Sequence, residues 1–162
     1  MTHLVYLLLG GNQGDKTAIL KKAREEIAEH IGAIKKSSSL YESEAWGFEA
    51  DEYFVNQVLR VATRLTPEDL LRTIHQIEQK LGRVRHKTAG YESRSIDIDI
   101  LFYDAVVLQS EELVIPHPRI QERRFTLLPL AEIAPTLRHP LLQKNIAALL
   151  RESSDKSIVK KL

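Results

Sequence analysis

Leu4 to Leu9 form an unbroken apolar run that is closed by Gly10-Gly11. A strand with one wet face alternates apolar and polar side chains, so a continuous run suits a central strand covered on both faces. Whatever this chain folds into must therefore supply cover to two sides of its first strand. The stretch from His3 to Leu9 is too short to span a bilayer, and it lacks the basic start and small-residue cleavage site of a signal peptide.

Further along, helical and extended patterns alternate. Asp15 is a suitable cap for a helix in which Ile19, Leu20, Ala23, Ile27 and Ile31 follow helical spacing, with Gly32 ending it. Ile34 to Ser43 and Tyr53 to Leu65 read as two strands. The second places Phe54, Asn56, Val58 and Arg60 on one face and Val55, Gln57, Leu59 and Val61 on the other. Thr66-Pro67 with Asp69 is a helix start of the capping-box kind, and Leu70, Leu71, Ile74, Ile77 and Leu81 continue one apolar stripe to Gly82. Residues 83 to 95 show no apolar period and read as a long basic loop, a kind of segment that in a compact domain usually carries function. Ile96 to Phe102 returns to alternation, followed by a hairpin pairing residues 106–108 with 113–115 and two short helices, Phe125 to Ile133 and Gln143 to Glu152. The order strand, helix, two strands, helix, strand is that of an α+β, ferredoxin-like sandwich (βαββαβ), with the hairpin and short helices as a C-terminal extension. No repeat or linker interrupts it, so residues 1–162 read as a single domain.

Composition narrows the chemistry. Lys and Arg number 23 against 22 acidic residues, and a net charge of +1 gives no global field to attract nucleic acid or anionic lipid. Any anion site must be local. The absence of cysteine removes disulfide frameworks, zinc-thiolate sites and thiol nucleophiles, and it permits a reducing compartment, so a cytoplasmic protein is the simplest expectation.

The strongest local signal is Arg94-Ser-Ile-Asp97-Ile-Asp99-Ile-Leu101. Residues two apart on a strand project from one face, so the two carboxylates can converge. Aspartate is a poor strand former and like charges on one face repel, which makes the pair costly unless a cation lies between them. Magnesium suits such a pair, because it prefers carboxylate oxygen and shares its remaining positions with phosphates. The plainer reading is that Asp97 and Asp99 line a solvated strand face. Two basic segments bracket them, however: Arg83, Arg85, His86, Lys87 and Arg94 on one side, and His117, Arg119, Arg123 and Arg124 on the other. Each alone reads as a solvated loop; around an acidic pair they resemble the apparatus of phosphoryl-type transfer.

Other features are less specific. Gly10-Gly-Asn-Gln-Gly14 lacks the Gly-Lys-Ser/Thr ending of a phosphate loop and reads as a tight strand-to-helix turn. His75 and Glu78 share a helix face, where they could reach the site or simply be solvated. His117 stands between Pro116 and Pro118, which stiffen its backbone either to aim the imidazole or to form a surface turn. No Ser-His-Asp arrangement or zinc motif can be assembled.

Taken in order, Gly10-Gly-Asn12, Phe54-Val-Asn56, Thr66-Pro-Glu-Asp-Leu-Leu71, Gly82-Arg-Val-Arg85, Arg94-x-x-Asp97-x-Asp99 and Ile115-Pro-His117 with Arg123 and Phe125 resemble the 6-hydroxymethyl-7,8-dihydropterin pyrophosphokinase family over about residues 4 to 140. The resemblance implies a ferredoxin-like fold and transfer of pyrophosphate from ATP to the pterin alcohol in folate biosynthesis. It implies two magnesium ions on Asp97 and Asp99, and it gives Arg83 and Arg94 a catalytic place at the phosphates. His75, Glu78, Arg85, Tyr91, Ile100, His117 and Arg123 fall at nucleotide contacts, Tyr91 standing where the family often has tryptophan. Phe54 and Phe125 are implied as the walls that sandwich the pterin, Asn56 as the amide on its ring edge, and Ser43, Trp46 and Asp97 as further pterin contacts. Stacking suits a flat heterocycle, which gains contact on both faces. The expected partners are ATP and the pterin, without nucleic acid or membrane, in a monomer.

Two other classes fit part of the pattern. Nucleotidyl transferases and cyclases also set paired aspartates on a ferredoxin-like sheet but release pyrophosphate. A small RNA-binding module could stack bases on Phe54 and Phe125, against which stand the near-neutral charge and the acidic pair.

Overall fold

The computed structural model describes residues 1–44, 53–82, 84–86, 91–93 and 96–162, with only the backbone of 84–86 and 91–93. The elements are β1 (His3–Gly11), α1 (Lys16–His30), β2 (Gly32–Ser37), β3 (Tyr41–Glu44), β4 (Tyr53–Thr63), α2 (Pro67–Lys80), β5 (Val84–His86), β6 (Tyr91–Ser93) and β7 (Asp97–Tyr103). There follow β8 (Leu108–Gln109), β9 (Val114–Ile115), a 3-10 turn (Ile120–Glu122), α3 (Arg124–Ile133), α4 (Ile146–Glu152) and β10 (Val159–Lys161). The main sheet runs β10-β3-β4-β1-β7, with β2 also on β4, and its strand pairs are antiparallel. Setting β10 aside, β7-β1-β4-β2/β3 is the strand order of the ferredoxin-like sandwich.

β1 is covered on both faces, as its apolar run requires. Val5, Leu7 and Leu9 pack with Leu20, Ile27, Leu70 and Ile74 of α1 and α2. Tyr6 and Leu8 pack on the opposite side with Leu127 and Leu130 of α3 and Leu149 of α4. Each such side chain taken fully out of water contributes ~1.5–3 kcal/mol. The C-terminal elements are therefore the cover for the second face of the sheet.

Helix starts follow the sequence. Asp15 accepts the amide of Ala18 at 3.1 Å, and Thr66 accepts that of Asp69 at 3.2 Å. Three expectations change here, and one strand was not expected. The strand read over Ile34 to Ser43 is two strands, because Ser38 interrupts it: its hydroxyl accepts the amide of Val58 at 2.9 Å while its own amide donates to the Val58 carbonyl. The basic segment 83–95, read as a loop, contains the β5-β6 ladder, with Val84 opposite Ser93 and His86 opposite Tyr91. That ladder carries no apolar alternation, so hydrophobic periodicity gave no sign of it. The last helix begins at Ile146, not near Gln143, since Asn145 caps it by accepting the Ala148 amide at 2.8 Å. β10 has no counterpart in the sequence reading. Among the described residues no helix is long and apolar enough to cross a membrane.

Candidate active site

Strand pairing sets one row of the site. Asp97 lies opposite Gly10 on β1, and Gly10 lies opposite Asn56 on β4; Asp99 lies opposite Leu8. Directly paired residues share a face, and Leu8 belongs to the α3 side. Asp97, Asp99 and Asn56 thus face α3, where Arg123 and Phe125 stand at the helix start.

The face on which the aspartates emerge is decided by a bulge. Tyr6 pairs with Phe102 and Leu7 with Ile100, so Leu101 is an extra residue on β7. Phe102 packs on the α3 side, and strict alternation back from it would put Asp99 and Asp97 beneath α1 and α2. The extra residue reverses the phase: Ile98 and Ile100 join the α1/α2 core, and both carboxylates turn to the α3 side. The bulged residue also supports a second segment, since its carbonyl accepts the amide of His117 at 3.0 Å.

Gly10 and Gly11 belong to β1 and do not form a turn after it. A Cβ on Gly10 would lie 3.0 Å from Oδ1 of Asn56, a close approach that explains glycine inside a strand. The buried Asn56 donates from Nδ2 to the hydroxyl of Ser43 at 2.9 Å, which fixes its amide. These residues, with Phe54, Phe125, Arg123 and both aspartates, line a cleft of about 670 Å³. The guanidinium of Arg123 sits 5.5 Å from the centre of the Phe125 ring. Burial pulls the Arg123 pKa down, the Asp99 carboxylate opposes that shift, and Arg119 adds to it.

A second cleft, about 450 Å³, runs along the outer edge of β7 and is lined by His75, Glu78, Ile100 and His117. Asp97 and Asp99 line it as well. The pair stands where the two clefts meet, one on the sheet face and one at its edge. Glu78 is buried, and its Oε2 accepts the amide of Ile98 at 2.9 Å, holding the peptide between the aspartates. His117 Nδ1 accepts the amide of Arg119 at 3.2 Å, which leaves the ring proton on Nε2. Burial, then Arg123 and Arg119, push the His117 pKa down to about 4, so the free protein holds it neutral.

The structure brings Ser43, Phe54, Asn56, Asp97, Asp99, Arg123 and Phe125 to the first cleft and His75, Glu78, Ile100 and His117 to the second. Arg83, Arg94 and Trp46 lie outside the described residues, as do the side chains of Arg85 and Tyr91. Sequence reasoning gave no site role to Gly10, Glu122 or Asp155, which also line the first cleft. A glycine inside an apolar strand was a usable signal for the first; nothing set Asp155 apart from an ordinary polar tail.

The chain as a whole has relatives among known proteins. Residues 6–135 match the family described as 7,8-dihydro-6-hydroxymethylpterin-pyrophosphokinase (HPPK). The chain is 41% identical over 150 residues to the 2-amino-4-hydroxy-6-hydroxymethyldihydropteridine pyrophosphokinase of Aquifex aeolicus, covering 93% of this chain and 92% of that one. It is 40% identical over 154 residues to a folic acid synthesis protein of Pneumocystis carinii, covering 95% of this chain but 20% of that protein. Its fold is similar to the crystal structure of Plasmodium falciparum HPPK-DHPS, with a TM-score of 0.76 at 19% identity, over 94% of this chain and 43% of that one. From the match across most of its length, the chain belongs to the 7,8-dihydro-6-hydroxymethylpterin-pyrophosphokinase family, whose relatives are pyrophosphokinases of folate synthesis.

Proposed function

We propose that this protein transfers the terminal pyrophosphoryl group of ATP to the hydroxymethyl oxygen of 6-hydroxymethyl-7,8-dihydropterin, with magnesium held by Asp97 and Asp99. The observation that carries this reading is one carboxylate pair shared between two clefts of different character. The face cleft has aromatic walls at Phe54 and Phe125 and a fixed amide at Asn56, which suit a flat heterocycle with a polar edge. The edge cleft has polar groups at His75, Glu78 and His117, which suit a nucleotide. A group transferred between the two occupants has to pass the aspartates.

The donor set fits magnesium: two half-buried carboxylates on one sheet face, offering the oxygen ligands this ion prefers. Bound there, two such ions would neutralise phosphate charge and orient the triphosphate. In the reaction the pterin hydroxyl oxygen bonds to the β-phosphorus and gives up its proton to water, the bond from that phosphorus to the α-phosphate oxygen breaks, and AMP departs with that oxygen. The protein's own part is placement and charge. Phe54 and Phe125 hold the ring, Asn56 with Ser43 orients its edge, and Arg123 faces the developing phosphate charge beside Asp99. Neutral His117 offers its Nε2 proton to a phosphate oxygen. On the family resemblance, Arg83 and Arg94 act at the triphosphate, Arg85 and Tyr91 near the nucleotide, and Trp46 at the pterin. The same reading takes residues 1–162 as one pyrophosphokinase domain, monomeric and cytoplasmic.

The test is incubation with magnesium, ATP and the pterin alcohol. AMP formed in proportion to the pterin supports the reading; release of pyrophosphate, or nucleotide turnover indifferent to the pterin, overturns it.

A further inference from the structure

Helix α3 carries Arg123 and Phe125 into the face cleft, yet it lacks the usual means of fixing its own start. Its N-cap residue is Arg123, which makes no side-chain capping bond. The acceptor comes from elsewhere in the chain: Oδ2 of Asp155 takes the amide hydrogen of Arg124 at 2.8 Å. An oxygen acceptor with negative charge at a helix start does what a capping side chain does, here supplied from beyond α4. Its second oxygen, Oδ1, accepts the amide of Ser157 at 3.0 Å, and its own amide donates to the hydroxyl of the buried Ser153. The carboxylate is thus gripped by its own turn on one side and holds the helix on the other. Burial alone would raise its pKa, but the amide of Arg124, the hydroxyl and amide of Ser157 and the Arg124 charge bring it below the usual carboxylate value, so it is ionised at neutral pH.

The chain then crosses to the opposite wall of the cleft. β10 pairs with β3, setting Val159 opposite Ser43 and Lys161 opposite Tyr41, and the Leu162 amide donates to the Leu40 carbonyl at 2.9 Å. Ser43 is the residue that fixes the Asn56 amide. Within a few residues the tail therefore grips the helix start bearing Phe125 and the strand bearing Ser43, while Asp155 itself lines the cleft between them.

We propose that Asp155 is a positioning residue for the pterin, and that residues 153–162 form a strap that sets the separation of the two cleft walls. This rests on the reading of the face cleft as the pterin site. Asp155 acts through Arg124 and the helix start rather than on the substrate, so its loss should move pterin recognition more than nucleotide recognition, for which His75, Glu78 and His117 stand on other elements.

The experiment measures the KM of each substrate and the Tm for wild type, Asp155→Ala, Asp155→Asn and a chain ending after Ser157, which keeps Asp155 but loses β10. Expected for Asp155→Ala is a pterin KM raised about tenfold, the scale of one charge-assisted hydrogen bond, with nucleotide KM changed far less and Tm lowered by only a few degrees, the scale of a lost helix cap. Asp155→Asn, with one carbonyl oxygen for two amides, should fall between, and the shortened chain should share the selective pterin defect. An unchanged pterin KM in both Asp155→Ala and the shortened chain overturns the strap. So does a fall in Tm accompanied by equal losses for both substrates, which marks a merely structural role. Failure of wild type itself to use the pterin overturns the reading of the cleft, a result distinguishable from either.

Discussion

Glu78 and Ile98 are joined by a hydrogen bond of 2.9 Å in which the buried carboxylate of α2 accepts the amide lying between Asp97 and Asp99. β7 is the last strand of the sheet, so this amide points away from the ladder and a helix side chain takes the place of a neighbouring strand. Glu78→Ala leaves the amide without that acceptor, at a cost of ~1–3 kcal/mol, and loosens the peptide that separates the aspartates. Glu78→Gln retains an acceptor oxygen. Urea denaturation is expected to show the alanine variant clearly destabilised and the glutamine variant nearer wild type, with AMP formation falling in the same order.

Asp97→Asn and Asp99→Asn each remove one charge from the pair without changing its shape. If the pair holds the ions that neutralise the reacting phosphates, each variant loses about 10²-fold or more in kcat, the scale seen when one preorganised electrostatic contact is removed. Pterin affinity, which depends chiefly on aromatic walls and the Asn56 amide, should change far less. Steady-state AMP production and direct pterin titration separate the two effects; near-normal turnover in either variant would remove that residue from its assigned role.

Much of this arrangement was legible, for identifiable reasons. The run at Leu4 to Leu9 required cover on both faces, and the structure supplies α1 with α2 on one side and α3 with α4 on the other. Asp15 and Thr66 announced their helices because capping is a local exchange of one side-chain oxygen for one amide. That Asp97 and Asp99 share a face followed from strand geometry, but which face did not. It depends on the bulge at Leu101, whose only sequence trace is the end of alternation at Ile100-Leu-Phe102. The β5-β6 ladder escaped because it is polar, and the tail escaped because Asp155 and β10 work through partners far away in sequence.

Gly10→Ala tests how closely the pterin cleft is fitted. The new methyl carbon would arrive 3.0 Å from Oδ1 of Asn56, so the amide must move, and the Ser43 hydroxyl that holds it resists. Pterin KM is expected to rise about three- to tenfold, the equivalent of a weakened neutral hydrogen bond, with nucleotide KM little altered. A Gly10→Ala, Asn56→Ala double variant should show no further loss from the glycine change, because the clash partner is gone.

Stability should fall on mild acidification through two histidines. His139 is buried, and its Nδ1 accepts the amides of Leu141 and Leu142 at 3.2 and 3.1 Å. Burial opposes the charge and holds its pKa below the ordinary 6.5, and a proton on Nδ1 would break both bonds. His117 is pushed the same way, to about 4, by burial and by Arg123 and Arg119. The unfolded chain therefore binds protons that the folded one refuses between pH 6.5 and these lower values. The stabilisation is complete above 6.5 and declines as pH falls through that window, levelling off only below the folded-state pKa. Urea titrations at pH 8, 6 and 4.5 on wild type and His139→Asn, compared as differences, isolate the His139 share. The gap between wild type and variant should narrow as pH falls, and a gap independent of pH would show that this imidazole does not resist protonation in the folded state.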